Sequence, residues 1–339
     1  MTSILKSFIA LYTSMLLLAM SLGLLATFLS LRLTIEGFST QMTGLILTSY
    51  FVGSVVGAIY GRRIIRSVGH IRAFAVFAAL ATAMIMLHGF YISALAWAIF
   101  RFFTGIATIG LFMVIESWFN ESAEPHTRGR VFSIYMVMCY LGGSIGQQLL
   151  NLGEVKDQTL FFVIGFLLVS CIIPIALTHS IHPEIPKVKP VKFKIILQKA
   201  PLGILGCFTA GLTNSSFYTM GPVFSHQINL SISQISYFMT ISVLGGLLFQ
   251  WPLGIFSDRF DRSKVIPILG IVFAVISVLM IGLSQSSFWV FMAATALFAG
   301  LMFTIYPAAV ARAHDMFEPK DVVNVSSALL LFYGIGAVI

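Results

Sequence analysis

The sequence predicts an all-α membrane protein that crosses the bilayer many times. Hydrophobic residues make up 58% of its 339 residues, charged residues make up 9%, and the mean hydropathy is +0.97. Soluble domains carry roughly a quarter of their residues as charges, so this composition excludes a soluble protein. The apolar runs match the length of about 20 residues that a helix needs to cross a bilayer, and they are too long for barrel strands.

Eleven apolar runs predict eleven spanning helices, of which ten are complete and the last is cut short. Only helices and closed barrels satisfy every backbone polar group inside lipid, and the length of the runs selects helices. We predict the spans at residues 8–31, 42–61, 71–91, 93–117, 130–151, 159–180, 202–225, 233–256, 264–284, 288–311 and from 324 onward.

The first and last runs need separate treatment. The first follows a short N-terminal region, as a secretory signal does, but it passes 20 apolar residues without a small-residue cleavage site. We therefore predict a permanent span. The last run, from Ser327 to Ile339, is still apolar where the chain stops and has no polar cap or flanking charge. We expect the chain to be truncated within this eleventh helix.

The basic residues predict the orientation. Of the 20 Lys and Arg residues, all but three fall on one side of the predicted spans. Arg32 and Lys156 fall on the other side, and Arg101 lies inside a span. The positive-inside rule then places the N-terminus and the central loop in the cytoplasm. The same bias explains the net charge of +8, so we expect the lipid bilayer as a partner and no nucleic acid.

Prolines and like charges interrupt the apolar pattern in the middle of the chain. Residues 182–194 combine three prolines with repeated lysines, a composition that disfavours a packed core. We predict an N-terminal six-helix bundle at residues 1–180, a basic cytoplasmic linker at 181–200, and a C-terminal bundle at 201–339 that is truncated within helix 11.

A glycine and arginine motif recurs at the end of the second helix of each half. Glycine allows two helices to approach closely, an acid can face a helix N-terminus, and arginines can bridge to carboxylates. We predict that these residues form a gate, although ordinary basic anchors at the membrane surface are the alternative. The first copy has Gly57, Gly61, Arg62, Arg63, Gly69 and Arg72, with Gly61 in place of the acid, and the second has Gly254, Asp258 and Arg259.

These motifs resemble those of the major facilitator superfamily, and the resemblance extends over the whole chain. Arg101-Phe-Phe-Thr-Gly105 is similar to the R-x-x-x-G signature of its fourth helix. Four further segments resemble the YcaD-type branch of putative bacterial transporters: Val68-Gly-His-Ile-Arg-Ala-Phe-Ala75, Val114-Ile-Glu-Ser-Trp118, Phe217-Tyr-Thr-Met-Gly-Pro222 and Gln250-Trp-Pro-Leu-Gly-Ile-Phe-Ser-Asp-Arg259.

The resemblance implies a fold of twelve helices in two pseudo-symmetric bundles, of which about ten and a half are present. It also implies a bacterial inner-membrane location and a central cavity that faces each side of the membrane in turn. That branch is defined by sequence better than by substrate.

Two ionisable residues fall inside predicted spans, where each costs several kcal/mol unless it is paired or faces water. Arg101 either attracts an anionic substrate or is satisfied by carbonyls and hydroxyls of neighbouring helices. Glu116 either pairs with Arg62 or Arg63 in the gate or takes up a proton. The two residues are about 22 Å apart along one helix, so they cannot pair with each other.

Polar and aromatic residues inside the spans are candidates for a substrate pathway. A largely apolar cavity with a few hydrogen-bonding groups suits an amphipathic organic molecule. The alternatives are interface anchoring for Tyr and Trp and contacts between helices for Asn and Gln. Besides Arg101, the candidates are Tyr12, Gln147, Asn214, Tyr218, Gln250, Trp251 and Tyr306.

The sequence favours a secondary transporter over an enzyme. It contains no phosphate-binding loop, no Gly-x-Ser-x-Gly elbow and no His-Glu-x-x-His motif, and its His and Cys residues lack metal-ligand spacing. We predict a monomer that moves a small organic solute by alternating access, without a cofactor and driven by a proton or ion gradient, with export as the first choice. The alternative is a membrane sensor or scaffold that kept the fold and lost transport.

Overall fold

The computed structural model describes residues 2–124, 126–178, 193–317 and 322–339, without the side chains of residues 2–7, 193, 194, 258, 322–324 and 327. All regular secondary structure in these ranges is helical, which confirms the predicted all-α class. The chain divides into two compact units. Unit 1 contains Met1–Pro186 and Leu230–Tyr237, and unit 2 contains Lys187–Asn229 and Phe238–Ile339.

The helices of unit 1 follow the first six predicted spans. Helix α1 packs on α5, α2 packs on α4, and α3 packs on both α4 and α6. Large side chains such as Trp97, Phe28 and Phe74 are fully buried between them. The helices are α1 (Thr2–Ile35), α2 (Thr40–Val68), α3 (His70–Phe90), α4 (Ala94–Ser122), α5 (Arg128–Gln148), α6 (Thr159–Ser170) and α7 (Ile172–Ala176), with a 3₁₀ turn at Leu149–Leu152 after α5.

The sixth predicted span is interrupted in the structure. We predict one helix at 159–180, but α6 ends at Ser170 and α7 begins at Ile172. Pro174 lies within α7 and has no backbone N–H to donate to the carbonyl of Ser170. The apolar pattern could not show this break, because it continues through both helices.

Unit 2 repeats the packing pattern of unit 1. Helix α9 packs on α13, as α1 packs on α5, and α11 packs on α12, as α3 packs on α4. Glycines of α10 lie against α12, as glycines of α2 lie against α4. The helices are α8 (Phe193–Lys199), α9 (Pro201–Gln227), α10 (Ile232–Arg259), α11 (Arg262–Leu283), α12 (Phe288–His314) and α13 (Val322–Val338), of which α10 begins within the residues of unit 1.

The end of the predicted linker is ordered and packed. Helix α8 lies inside the range 181–200, and Ile196 is 2% exposed against Ala200 and Ile204. The isoleucines of this segment provide an apolar face. The prediction of a linker considered the lysines and prolines and not these isoleucines. The rest of the predicted linker, residues 181–192, lies outside the described residues.

Eight of the described helices are long and apolar enough to cross a membrane. These are α1, α2, α3, α4, the stretch Thr159–Ala176 that α6 and α7 form together, α10, α11 and α12. The predicted spans at 130–151 and 202–225 are also helical, as α5 and α9. Both include several glycine and polar residues, which lower their mean hydropathy.

Candidate functional site

Helices α2 and α4 approach each other closely at glycines of two predicted motifs. A methyl group at Gly105 would overlap the backbone carbonyl oxygen of Tyr50. One at Gly57 would lie 2.9 Å from the Cα atom of Ile106. The absence of a side chain therefore sets the distance between the two helices, as predicted for Gly57.

Arg101 lies one turn before Gly105 and is 7% exposed. Its guanidinium carbon lies 4.5 Å from the centre of the Tyr50 ring, which provides a cation–π contact. Its Nε atom has no hydrogen-bond partner among the described residues. Arg101 is a predicted site residue and Tyr50 is not, because no sequence spacing links residues on separate helices.

The first copy of the gate motif lies at the α2–α3 junction. Gly69 has φ of 83°, ends α2 by donating its N–H to the carbonyl of Ile65, and precedes α3. Few residues other than glycine adopt this conformation readily. Gly61 is buried next to Met113, with 3.1 Å from its built Cβ to the sulfur. The side chains of Arg62, Arg63 and Arg72 are exposed.

A histidine that is not among the predicted site residues connects this junction to α4. His70 is 1% exposed, and its Nε2 atom lies 2.9 Å from the Oγ atom of Ser117. Its ring also meets the edge of Trp118, with 5.8 Å between the ring centres. His70 thus fixes the start of α3 beside the same stretch of α4 that contains Glu116.

Glu116 does not have the partner that we predicted. Its Oε1 atom accepts a hydrogen bond of 2.8 Å from the hydroxyl of Tyr135 on α5. The ion pairs within the described residues include none between Glu116 and Arg62 or Arg63. The predicted pairing is therefore absent from this structure, because the acid is directed toward α5 and both arginines are exposed.

A second acid lies on the same helix. We predict the end of the fourth span at residue 117, but α4 continues to Ser122 and so includes Glu121. The side chain of Glu121 is partly buried, and its Oε2 atom has no hydrogen-bond partner in the described chain. Glu121 is not among the predicted site residues, because the predicted span ends before it and the helix does not.

Two predicted pathway residues of unit 1 are core residues in this structure. Tyr12 is 3% exposed and donates to the carbonyl of Val131 at 3.2 Å. Gln147 is fully buried and accepts a hydrogen bond of 2.5 Å from the hydroxyl of Thr27. Both side chains connect α1 to α5. A contact between helices is the alternative predicted for Gln147, whereas the alternative predicted for Tyr12 is anchoring at the membrane interface.

The second copy of the gate motif differs from the first in its packing. A Cβ atom built on Gly254 meets no atom within 4 Å, so the predicted close approach at this glycine is absent from this structure. Arg259 is exposed at the end of α10. The side chain of Asp258 lies outside the described part of the chain.

The start of α11 has its own polar contacts. Asp261 caps this helix by accepting from the backbone N–H of Ser263 at 2.9 Å, and that hydrogen bond lowers the pKa of Asp261. The next residue, Arg262, forms an ion pair of 2.7 Å with Asp315 just after α12. These contacts anchor one end of α11 within unit 2.

Unit 2 contains a polar and aromatic cluster formed by α9, α12 and α13. Asn214 is 7% exposed, and its Nδ2 atom donates to the hydroxyl of Tyr333 at 3.3 Å. The Tyr333 ring meets the ring of Tyr306 edge-on, with 5.2 Å between the centres. The Oδ1 atom of Asn214 has no partner among the described residues. Two predicted residues, Asn214 and Tyr306, thus converge on Tyr333.

Three further predicted pathway residues lie on α9 and α10. Tyr218 stacks obliquely near Phe303, with 5.8 Å between ring centres. Gln250 is half-buried, and Trp251 is 77% exposed. Such exposure fits the alternative of an aromatic anchor for Trp251 better than a place in a cavity.

Arg32 has a structural role that the distribution of basic residues among the loops does not predict. It lies in the last turn of α1, is 4% exposed, and donates through Nη1 to the carbonyl of Val155 at 2.8 Å. Its Nη2 atom lies 2.8 Å from the Oε1 atom of Glu36. One guanidinium therefore joins α1 to the segment that precedes α6.

Replacing Arg32 with methionine is expected to weaken unit 1 by about 2 kcal/mol, because a buried carbonyl and a partly buried carboxylate lose their donor. The measurement is thermal unfolding of the detergent-solubilised protein. Lys156→Met is the matched control, because Lys156 is exposed in the neighbouring segment. Equal melting temperatures for the two variants would contradict the structural role of Arg32.

The helices and their repeated pairing define a multi-pass α-helical membrane protein with two similar units. The family model of the Major Facilitator Superfamily matches residues 11–231 and 203–339. The chain belongs to this superfamily.

Curated relatives show the same affiliation. The chain is 30% identical over 337 residues to the uncharacterized MFS-type transporter YcaD of Escherichia coli O45:K1 (strain S88 / ExPEC), covering 97% of this chain and 85% of the relative. The YcaD protein of Escherichia coli O81 (strain ED1a) matches with the same identity and coverage. Family and fold are therefore those of secondary transporters rather than enzymes.

Solved structures show the fold alone, because their sequence identities are low. The nucleoside transporter NupG is similar with a TM-score of 0.81 at 12% identity, covering 97% of this chain and 88% of NupG. A bacterial homolog of the human lysosomal transporter Spinster gives 0.75 at 14%, covering 98% and 80% of the two chains. The D-xylose-proton symporter gives 0.70 at 12%, covering 98% and 88%.

Proposed function

We propose that this protein is a secondary transporter that moves a small organic solute across the bacterial inner membrane, with export driven by a proton or ion gradient. The N-terminus is cytoplasmic, and the protein works as a monomer. The gate includes the glycines and arginines of the repeated motif together with Asp258. The relatives named above support transport, and the direction and energy source are our own inference.

The observation that supports a solute site is the presence, in each unit, of a buried polar side chain with an unused hydrogen-bonding atom. Several buried side chains of the described residues share this property, among them the predicted pathway residues Arg101 and Gln147 in unit 1 and Asn214 in unit 2. A buried donor or acceptor without a partner costs about 1–3 kcal/mol. Such a cost is tolerated where the group finds a partner at another stage of the functional cycle. A solute that accepts hydrogen bonds would satisfy the Nε–H group of Arg101, and a solute that donates them would satisfy the Oδ1 atom of Asn214.

The experiment is a transport assay on everted membrane vesicles that contain the full-length protein and have an acidified interior. Amphipathic cations, sugars and organic acids are added in turn, and proton release and solute uptake are recorded. Uptake that depends on the protein and on the gradient would support the proposal. Specific binding of a compound without any uptake would instead favour a sensor.

The matched variants are Asn214→Leu and Ser277→Ala. Ser277 lies on α11 and donates its hydroxyl to the carbonyl of Phe273, so its loss leaves the polar cluster of unit 2 intact. We expect Asn214→Leu to reduce uptake about tenfold, the equivalent of one hydrogen bond of about 1.4 kcal/mol. Ser277→Ala is expected to match the wild type. Equal uptake by both variants would remove Asn214 from the pathway.

A further inference from the structure

Glu116 is an acidic residue with few of the contacts that would hold a purely structural acid. Its side chain is exposed, although the residue lies within a membrane-spanning helix. A carboxylate that faces lipid is costly, so this exposed face of α4 is expected to meet water. The neutral hydroxyl of Tyr135 holds Oε1 at 2.8 Å, and the described residues supply no ion pair to the carboxylate.

Apolar and aromatic side chains surround this acid. Phe112 and Met113 precede it by one turn of α4 and are half-buried. On α5, Phe132 lies one turn before Tyr135, with 5.9 Å between the two ring centres. The aromatic ring that contacts the Glu116 side chain is therefore that of Tyr135, and Phe132 extends the aromatic surface beside it.

An acidic side chain with no cationic partner, next to an aromatic ring, is a combination that can recognise an organic cation. The carboxylate provides the opposite charge, and ring faces attract a positive group by about 0.5–2 kcal/mol. A sugar would need several directional donors and acceptors instead, and an anion would be repelled by Glu116.

We infer that Glu116 and Tyr135 form a recognition site for a lipophilic organic cation, with Glu116 as the specificity-determining residue. The inference rests on the proposed transport function and adds the chemical class of the solute. Tyr135 acts as a positioning residue, because its hydroxyl fixes one oxygen of the carboxylate and leaves the other for the cation.

The test is equilibrium binding of tetraphenylphosphonium to the purified full-length protein in detergent, with tetraphenylborate as a probe of the same shape and opposite charge. We expect Glu116→Gln to raise the Kd for tetraphenylphosphonium at least about tenfold, which corresponds to about 1.4 kcal/mol. The same variant should bind tetraphenylborate equally well or more tightly. Tyr135→Phe should raise the cation Kd about threefold, with Glu116→Asp retaining more affinity than Glu116→Gln.

The matched control is Glu124→Gln, which removes an exposed acid just beyond the end of α4. It should leave both dissociation constants unchanged. Each variant is checked for its melting temperature and gel-filtration profile, so a misfolded variant is recognised. An affinity for tetraphenylphosphonium that is the same in wild type and Glu116→Gln would overturn the inference.

The vesicle assay separates this inference from the proposed function. Uptake of a neutral or anionic solute, together with cation binding that is independent of Glu116, would refute the cation site and leave transport standing. Cation binding that requires Glu116, without uptake of any compound, would refute transport and leave the site standing.

Discussion

Replacing Gly105 with valine is expected to lower the melting temperature of the detergent-solubilised protein by about 5–10 °C, which corresponds to roughly 2–3 kcal/mol. A Cβ atom at this position would overlap the carbonyl oxygen of Tyr50 and lie 2.9 Å from the backbone nitrogen of Ser54. Because the contacted atoms belong to the backbone of α2, no rotamer change can relieve the clash. The two helices would have to separate.

Gly254→Val provides a matched control for this prediction. Both glycines lie inside helices, so the two substitutions change helix propensity by the same small amount. A Cβ atom at Gly254 meets nothing within 4 Å, so we expect a change of less than about 2 °C. Melting curves of the two variants in one detergent test the difference. A Gly254 variant that melts as low as the Gly105 variant would show that packing is not the cause.

The helices could be predicted from the sequence because length and apolarity decide them. A run of about 20 apolar residues has few alternatives in a bilayer, so every predicted span is helical in the described residues, and the sixth contains two helices. Boundaries were less accurate where polar residues continue a helix beyond the apolar run. The end of α4 is the example, since Glu121 lies in the helix and not in a loop.

The partners of buried polar side chains could not be predicted in this way. One of the two roles predicted for Glu116 pairs it with Arg62 or Arg63, whereas its side chain accepts from Tyr135 on a different helix. Arg32 was expected to be a loop residue, and it is buried against the carbonyl of Val155. Both contacts depend on how each helix is rotated about its own axis. A helix that is apolar on all sides has no separate polar face, so its sequence does not show which side faces a neighbouring helix.

The repeated motif predicted a symmetry that the packing shows only in part. Gly57 and Gly254 occupy equivalent positions in the sequence, yet one is pressed against α4 and the other faces open space. A glycine can allow two helices to pack closely or can make the backbone flexible, and the residue type alone does not show which role applies. The pairing of helices is the better evidence for two similar halves, because it involves whole elements.

Arg101→Leu is expected to reduce transport about a hundredfold while leaving the fold as stable as before or more stable. Leucine removes a buried charge and an Nε–H group that has no partner among the described residues. Replacing such a group with an apolar side chain is often neutral or stabilising, so the melting temperature should stay equal or rise by a few degrees. A solute that accepts a charge-assisted hydrogen bond from Arg101 would lose about 2.8 kcal/mol, a hundredfold loss in transport rate at low solute concentration.

Two further variants separate a solute contact from a structural one. Tyr50→Phe keeps the ring under the guanidinium, which lies 4.5 Å from its centre, and should retain transport within about threefold. Arg101→Lys keeps the charge but loses the planar, multiply donating group, so it should not restore transport. If Arg101 served the fold alone, the leucine variant would lose stability and transport together. A drop in melting temperature of more than about 5 °C in Arg101→Leu would therefore assign the residue to the fold and withdraw it from the solute pathway.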